Sequence, residues 1–403
     1  MSRYDVCMVV HNNFVSDSRV EKEAAFLAAE GLRVKVFAIE RRDLPSHEIR
    51  RGFEVERLQR YRFSVGRYVS GPNAGTVRKH PPLGDYIRYI LNIALYQFRA
   101  TLALVKCRPK VIHSHDLSGL QPGFVASKIL RSKLVYDSHE LWLRRQIIAK
   151  RRFAKYHNLK EKMMERLMIG SADRVITVSE SIADTLKSWY GIKRPIVLVN
   201  GSEETQPRER REIGEHISGT GPLCVYVGGR NPGRGLENQV RALALLKGVR
   251  LVMIGSGAAY FDTRLRKLAK EAGCAERLFI LPSVPGDQLL DWIASADIGL
   301  VTTEPVCLNN RFSLPNKIFQ YAMAGVPVVA SDFPDIARVV NEYALGGLCD
   351  PEDPESIAEQ IRLILNGQTP TLDEKRRSEF RSVFSWAAQQ SRLRDIYIEL
   401  GVL

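Results

Sequence analysis

SLPNKIFQYAMAGVPVVASDFPDI, from Ser313 to Ile336, reads as a helix, a glycine stop, a short apolar strand and a turn. Ser313 and Pro315 stand where a helix start favours them, and Gly325 followed by Pro327 supplies the stop. PVVAS has the β-branched run of a strand buried on both faces, as in a parallel sheet. A helix that starts here aims free backbone amides, and the positive end of its dipole, at whatever fills the neighbouring cleft. That setting suits an anion such as a diphosphate. Lys317 and Arg311 add positive charge nearby.

The same alternation extends outward from this segment. LCVYVGG, VRLVMIGSG, RLFILPSV and DIGLVTT are strand-like, with a helical pattern through LENQVRALALL. Nearer the N-terminus, DVCMVV, VKVFAI, KVIHSH, KLVYDSH and RVITVS repeat the theme, and SRVEKEAAFLAAEG is an amphipathic helix ending at Gly31. PIVLVNG closes that series near Gly201, and the polar segment from Glu203 to Gly221 is the linker candidate. A chain of 403 residues exceeds what one core usually supports. The expected fold is therefore α/β: two Rossmann-like domains, 1–202 and 203–380, followed by an amphipathic helix at 381–403. Ligands bind such sheets at the carboxyl ends of the strands, so residues there carry the functional weight.

Composition narrows the setting. MSRYDVCMVVHNN runs straight into a strand without a signal-peptide pattern, which points to a cytoplasmic chain, peripheral at most to the inner face of a membrane. The apolar segment from Tyr86 to Val105 is interrupted by Arg88, Asn92, Gln97 and Arg99, and is expected to be a largely buried helix rather than a bilayer span. Six scattered cysteines have no metal or redox spacing and suit free thiols in a reducing compartment. The net charge of +14 is concentrated in part in RRQIIAKRRFAKYHNLKEKMMER, 144–166. A solvated helix face and an anionic membrane surface are both consistent with that run. Nucleic acid is not expected as a partner, since no recognition module or zinc spacing accompanies the charge.

Several strand ends carry residues suited to chemistry. VYVGGRNPGRGLENQ passes from strand through a Gly/Pro turn into a helix. Gly228, Gly229, Gly233 and Gly235 let the backbone approach a ligand closely, and Arg230 and Arg234 can neutralise phosphate oxygens. By itself such a turn is equally a structural device. VIHSHD sets His113, His115 and Asp116 just beyond a strand. An H-x-H pair can bind metal, but strand alternation is expected to send the two rings to opposite faces, and no further ligand cluster is evident. YDSHELW offers Asp137, His139 and Glu140, whose carboxylates could orient an acceptor hydroxyl or cap the next helix. In HNNFVSDSRVEKEA, Asp17 is read as a helix cap and Arg19 as a group facing the cleft.

Taken in order, these segments resemble family 4 glycosyltransferases, the retaining, nucleotide-sugar-dependent group with the GT-B fold, and in particular members with an LPNK segment before the helix. The resemblance covers nearly the whole chain and implies two domains facing a central cleft, the first binding acceptor and the second donor. It also implies a C-terminal helix crossing back to the first domain. The implied reaction is hexosyl transfer from a nucleotide-diphosphate sugar to the hydroxyl of a glycan, lipid-linked or other acceptor, as in surface polysaccharide or glycoconjugate assembly. No cofactor and no metal are implied. Arg234 matches a family lysine that holds the donor diphosphate, Arg230 lies one residue from the family arginine, and His115 matches the histidine near the transferred sugar. Gly229, Gly235, Asn316, Lys317 and Gln320 fall on the donor side; Arg19, His139 and Glu140 fall on the acceptor side. The family's two glutamates, eight residues apart, are replaced here by Phe312 and Gln320, and Glu304 is the nearest substitute carboxylate. That departure leaves a rival reading open: a glycosyltransferase-like binding partner, or a basic membrane-associated adaptor, without catalysis.

Overall fold

A computed structural model describes residues 4–15, 17–59, 83–144, 154–203, 213, 216–370 and 373–403. The chain divides into two compact units. Among the described residues, the first runs to Val199 and takes back Gln390–Leu403, and the second is Asn200–Gln389. Most of the linker candidate, and 145–153 of the basic 144–166 run, lie outside the described residues.

In the first unit the order is β1 (Val6–Val9), α1 (Ser18–Ala29), β2 (Val34–Ile39), β3 (His47–Arg50), β4 (Phe53–Leu58) and α2 (Leu83–Cys107). It continues with β5 (Val111–His115), α3 (Asp116–Leu130), β6 (Lys133–Ser138), α4 (Ala154–Ile169), β7 (Arg174–Thr177), α5 (Glu180–Tyr190) and β8 (Ile196–Val197). These eight strands pair in the order β3-β4-β2-β1-β5-β6-β7-β8. All neighbours are parallel except β3 and β4. The β3–β4 hairpin turns at Arg51 and Gly52, both at positive φ, as a tight hairpin requires. Its charged first strand, HEIR, carries no apolar alternation, so the sequence does not announce it.

The second unit begins with β9 (Leu223–Val227), α6 (Leu236–Ala244), β10 (Arg250–Ile254), α7 (Ala259–Glu271), β11 (Leu278–Leu281) and α8 (Leu289–Ala294). Next come β12 (Ile298–Val301), α9 (Leu308–Phe312), α10 (Asn316–Ala324), β13 (Val328–Ser331), α11 (Pro334–Tyr343) and β14 (Gly346–Cys349). Helices α12 (Pro354–Leu365), α13 (Glu374–Phe384) and α14 (Trp386–Glu399) complete the chain. The sheet order is β11-β10-β9-β12-β13-β14, wholly parallel. β9, β12 and β13 are buried along their whole lengths, as strands covered by helices on both faces should be.

Two expectations need correction. Ser313 does not start α10: Pro315 precedes its first residue, while the Ser313 hydroxyl donates to the Asn310 carbonyl and closes α9. Helix α2 is not largely buried. Its most apolar window, within Ile87–Cys107, is only 22% buried, and by length and composition alone it could cross a membrane. One stripe, Asn92, Tyr96, Ala100 and Leu104, packs inward. It is fixed by the Tyr96 hydroxyl donating to the Val10 carbonyl and by Gln97 donating to the Ser118 carbonyl.

Candidate active site

The glycine turn of the second unit leaves β9 and enters α6. Gly228, Gly233 and Gly235 have φ of 124°, 83° and 73°. At Gly235 a Cβ would stand 1.9 Å from the Thr302 carbonyl oxygen, so only glycine fits between this turn and the end of β12. Gly229 is exposed, and its carbonyl accepts a hydrogen bond from the Tyr226 hydroxyl at 2.8 Å.

The two arginines of the turn diverge. Arg230 is buried and makes a bidentate pair with Asp262, Nε and Nη2 each lying 2.7 Å from a carboxylate oxygen. Its remaining nitrogen donates to the carbonyls of Gly255 and Leu281. The expectation that Arg230 meets phosphate is therefore corrected: its donors are engaged inside the fold, where they fasten the turn to β10 and α7. Arg234 is exposed, and no carboxylate among the described residues lies within ion-pair distance of it.

Lys317 stands at the second position of α10, with Nζ 3.8 Å from the centroid of the Tyr226 ring. It too has no carboxylate partner among the described residues. Burial, and then the charge of Arg234, hold its pKa well below that of an ordinary lysine. A Cβ on Gly228 would lie 3.9 Å from this ammonium, so lysine, glycine turn and aromatic ring share one corner. Asn316 is exposed and Gln320 half-buried; Asn316, Lys317 and Gln320 share a helix face by spacing. One turn on from Lys317, Tyr321 anchors α10: its hydroxyl donates to the Val225 carbonyl and accepts from the Val227 amide. Glu304 joins this region through its backbone, its amide donating to the Gly233 carbonyl at 3.1 Å. Burial, then repulsion from Glu237 and Glu352, raises its pKa. Asn310, which the sequence reading passed over, ties Glu304 and Gly233 together through its side-chain amide.

The first unit gathers a different set at the ends of β5 and β6. Arg19, at 5% exposure, bonds both oxygens of Asp137 at 2.8 and 3.0 Å, the Leu198 carbonyl at 2.7 Å, and stands 3.1 Å from Glu23. Expected to face ligand, it is instead a buried counter-charge. Asp17 caps α1 by accepting from the Val20 amide. His113 and His115 stack at 4.4 Å, against the expectation of opposite faces. Residues two apart on a strand share a face, which is why the rings meet. His113 Nδ1 is hydrogen-bonded to the Tyr397 hydroxyl of α14 at 3.0 Å.

His139 Nε2 lies 3.2 Å from Asp137 and 3.1 Å from His115 Nδ1. Burial alone would lower its pKa, but the Asp137 and Asp116 carboxylates outweigh burial and hold it at about 9. A cationic His139 donates from Nε2 to Asp137, whose same oxygen lies 3.4 Å from His115 Nδ1; His115 Nε2 has no partner among the described residues. Burial keeps His115 below its usual value, hence neutral. Around these rings is a pocket of about 250 Å³ lined by Asn12, Asp17, His115, Asp116, His139 and Trp142, among others. Arg19 and Glu140 are not among its walls.

Glu23, His113, His115 and Asp137 each bring one ligand atom within 4.8 Å of the others, the spacing of a cation site. The donor set nevertheless fits a metal poorly. Arg19 already holds both Asp137 oxygens and faces Glu23, so a cation would have to displace a buried guanidinium. Glu23 and Tyr397 are the members that sequence reasoning missed. The Arg19–Glu23 spacing of four on a helix was a usable signal; nothing local marks Tyr397.

With this geometry in hand, comparison with known proteins is consistent along the chain. The profile described as Glycosyltransferase Family 4 matches residues 18–201, and that described as Glycosyl transferases group 1 matches residues 221–367. D-inositol 3-phosphate glycosyltransferase of Acidothermus cellulolyticus is 26% identical over 383 residues, covering 86% of this chain and 77% of that protein. Sucrose-phosphate synthase from Thermosynechococcus elongatus has the same fold, with a TM-score of 0.76 at 19% identity over 99% of both chains. HepE of Anabaena, in complex with UDP-glucose, gives 0.70 at 15% identity over 98% of this chain and 99% of that one. Two parallel-sheet units of this kind define a GT-B glycosyltransferase. The chain belongs to glycosyltransferase family 4.

Proposed function

We propose that this glycosyltransferase acts with retention and without a divalent metal, moving a sugar from a nucleoside-diphosphate sugar to an acceptor hydroxyl in the assembly of a polysaccharide or glycoconjugate. The observation that carries this reading is the juxtaposition of Arg234 and Lys317, two cations without a carboxylate partner among the described residues, beside a glycine turn and the start of α10. Cleavage of the anomeric C–O bond leaves negative charge on the diphosphate. Fixed cations and amide dipoles already in place stabilise that charge without reorganisation. Lys317 is depressed first by burial and then by repulsion from Arg234, and that repulsion is relieved when an anion settles between the two groups. We assign the donor to the second unit, with Asn316, Gln320 and Glu304 beside the diphosphate site, and the acceptor to the pocket of His115 and His139 in the first. HepE was solved with UDP and with UDP-glucose, so uridine donors are the first to try.

The test is nucleoside-diphosphate release from a panel of UDP-, GDP-, ADP- and dTDP-sugars, with the anomeric configuration of the product read by proton NMR. One donor turned over with its α configuration kept supports the proposal. Inversion at the anomeric carbon, or turnover abolished by chelation and restored by a divalent ion, contradicts it.

A further inference from the structure

The helical layer of the first unit presents an outer surface that the fold does not need. The connections β4–β5, β5–β6 and β6–β7 all step in one direction across the sheet, so right-handed crossover sets α2, α3 and α4 side by side on one face. On α2, opposite its buried stripe, Ile87, Leu91, Phe98 and Leu102 are 44–61% exposed. Val125 and Ile129 continue this surface on α3. On α4, Leu159, Met163 and Leu167 recur every fourth residue at 60–69% exposure. Nine large apolar side chains on three adjacent helices form a patch rather than scattered exceptions.

The exposed charge around this patch is predominantly positive. Lys106, Lys128, Lys160, Lys162 and Arg166 are exposed among the apolar residues. No aspartate or glutamate occurs between Ile87 and Cys107; on α4, Glu161 is half-buried and Glu165 is buried beneath the hydroxyls of Tyr136 and Tyr190. Leu102 and Ile129 also edge a groove of about 1130 Å³ whose charged walls are Arg99, Lys106 and Arg108 against the single carboxylate of Glu56.

We infer that this face docks on an anionic lipid bilayer. The apolar side chains enter the boundary between headgroups and acyl chains, and the lysines and arginines meet acidic headgroups. The chain lies on the membrane without spanning it, because the inner stripe of α2 is fixed to the sheet through Tyr96 and Gln97. This inference is independent of the proposed transfer reaction, since none of these residues belongs to the site around Arg234 or His115.

The experiment is co-sedimentation of the full chain with phosphatidylglycerol–phosphatidylcholine vesicles and with phosphatidylcholine alone. It compares the wild type with the double variants Phe98→Ser/Leu102→Ser and Met163→Ser/Leu167→Ser. Melting temperature and nucleoside-diphosphate release of each variant show that it folds. The wild type should sediment with the anionic vesicles, and each double variant should partition about tenfold less or lower still, from the apolar area it no longer buries. Failure of the wild type to sediment overturns the inference, as does sedimentation that survives both double variants. A lipid-free dimer that the same substitutions dissociate would assign the face to a second copy instead.

Discussion

The histidine cluster at the end of the first sheet and the glycine turn at the end of the second are both rich in cations, and they treat charge in opposite ways. In the first, Arg19 is sealed against Asp137, Glu23 and a backbone carbonyl, and His139 is held cationic by Asp137 and Asp116. In the second, Arg234 and Lys317 stand without carboxylates among the described residues, and Lys317 is depressed by burial and by its neighbour. The turn repeats the contrast within itself, since Arg230 is clamped by Asp262 while Arg234, four residues on, is exposed. A cation already neutralised inside the fold stabilises structure. One left unneutralised at a strand end is available to a ligand.

The sharpest way to break this contrast is to remove a counter-charge. Asp137→Asn strips the buried Arg19 of its bidentate partner, leaving it Glu23, and should cost about 3–5 kcal/mol in chemical denaturation; Asp262→Asn should act in the same direction through Arg230. Removing an unneutralised cation should do the reverse. Lys317→Ala should lower kcat by about 10²–10³-fold, as loss of one preorganised charge-stabilising group does, while the melting temperature without ligand stays unchanged.

The third prediction concerns pH. Pairing raises His139 from 6.5 to about 9, so the stabilisation is fully present below about pH 6.5 and is lost as pH rises through about 9. Glu23, lifted to about 8 by burial, adds loss of the same sign over a lower range. Stability should therefore decline from pH 6.5 to 9 by roughly 3 kcal/mol from His139. His139→Gln should flatten the upper part of that slope. The smallest effect is expected at the departure from the family pattern: Gln320→Glu should tighten nucleoside-diphosphate binding about fivefold, the difference between a neutral and a charge-assisted hydrogen bond to a donor hydroxyl.

The architecture was legible where strands are covered on both faces. LCVYV, IGLV and VVAS carry their burial in their own composition, and the Gly325 stop needs a left-handed residue. HEIR did not show itself because an edge strand carries no such signal. The outer stripe of α2 was hidden for a related reason: its apolar residues read as core, and only packing separates the stripe that meets the sheet from the one that does not. Site residues were legible by type and position, but not by role. Arg230 and Arg234 look alike in the turn, and Asp262, which decides between them, lies 32 residues away on another helix. Tyr397 entered the histidine cluster through tertiary contact alone, whereas Glu23 stands four residues from Arg19 on one helix.

The central claim is that Arg234 and Lys317 form the diphosphate site while Arg230 and Arg19 hold the fold. Thermal stabilisation by UDP, GDP, ADP, dTDP and CDP tests it most directly, in the wild type and in Arg234→Ala and Lys317→Ala. The account predicts that one nucleotide raises the melting temperature of the wild type and has no effect on either variant, each melting without ligand where the wild type does. A nucleotide shift that persists in both variants would contradict it.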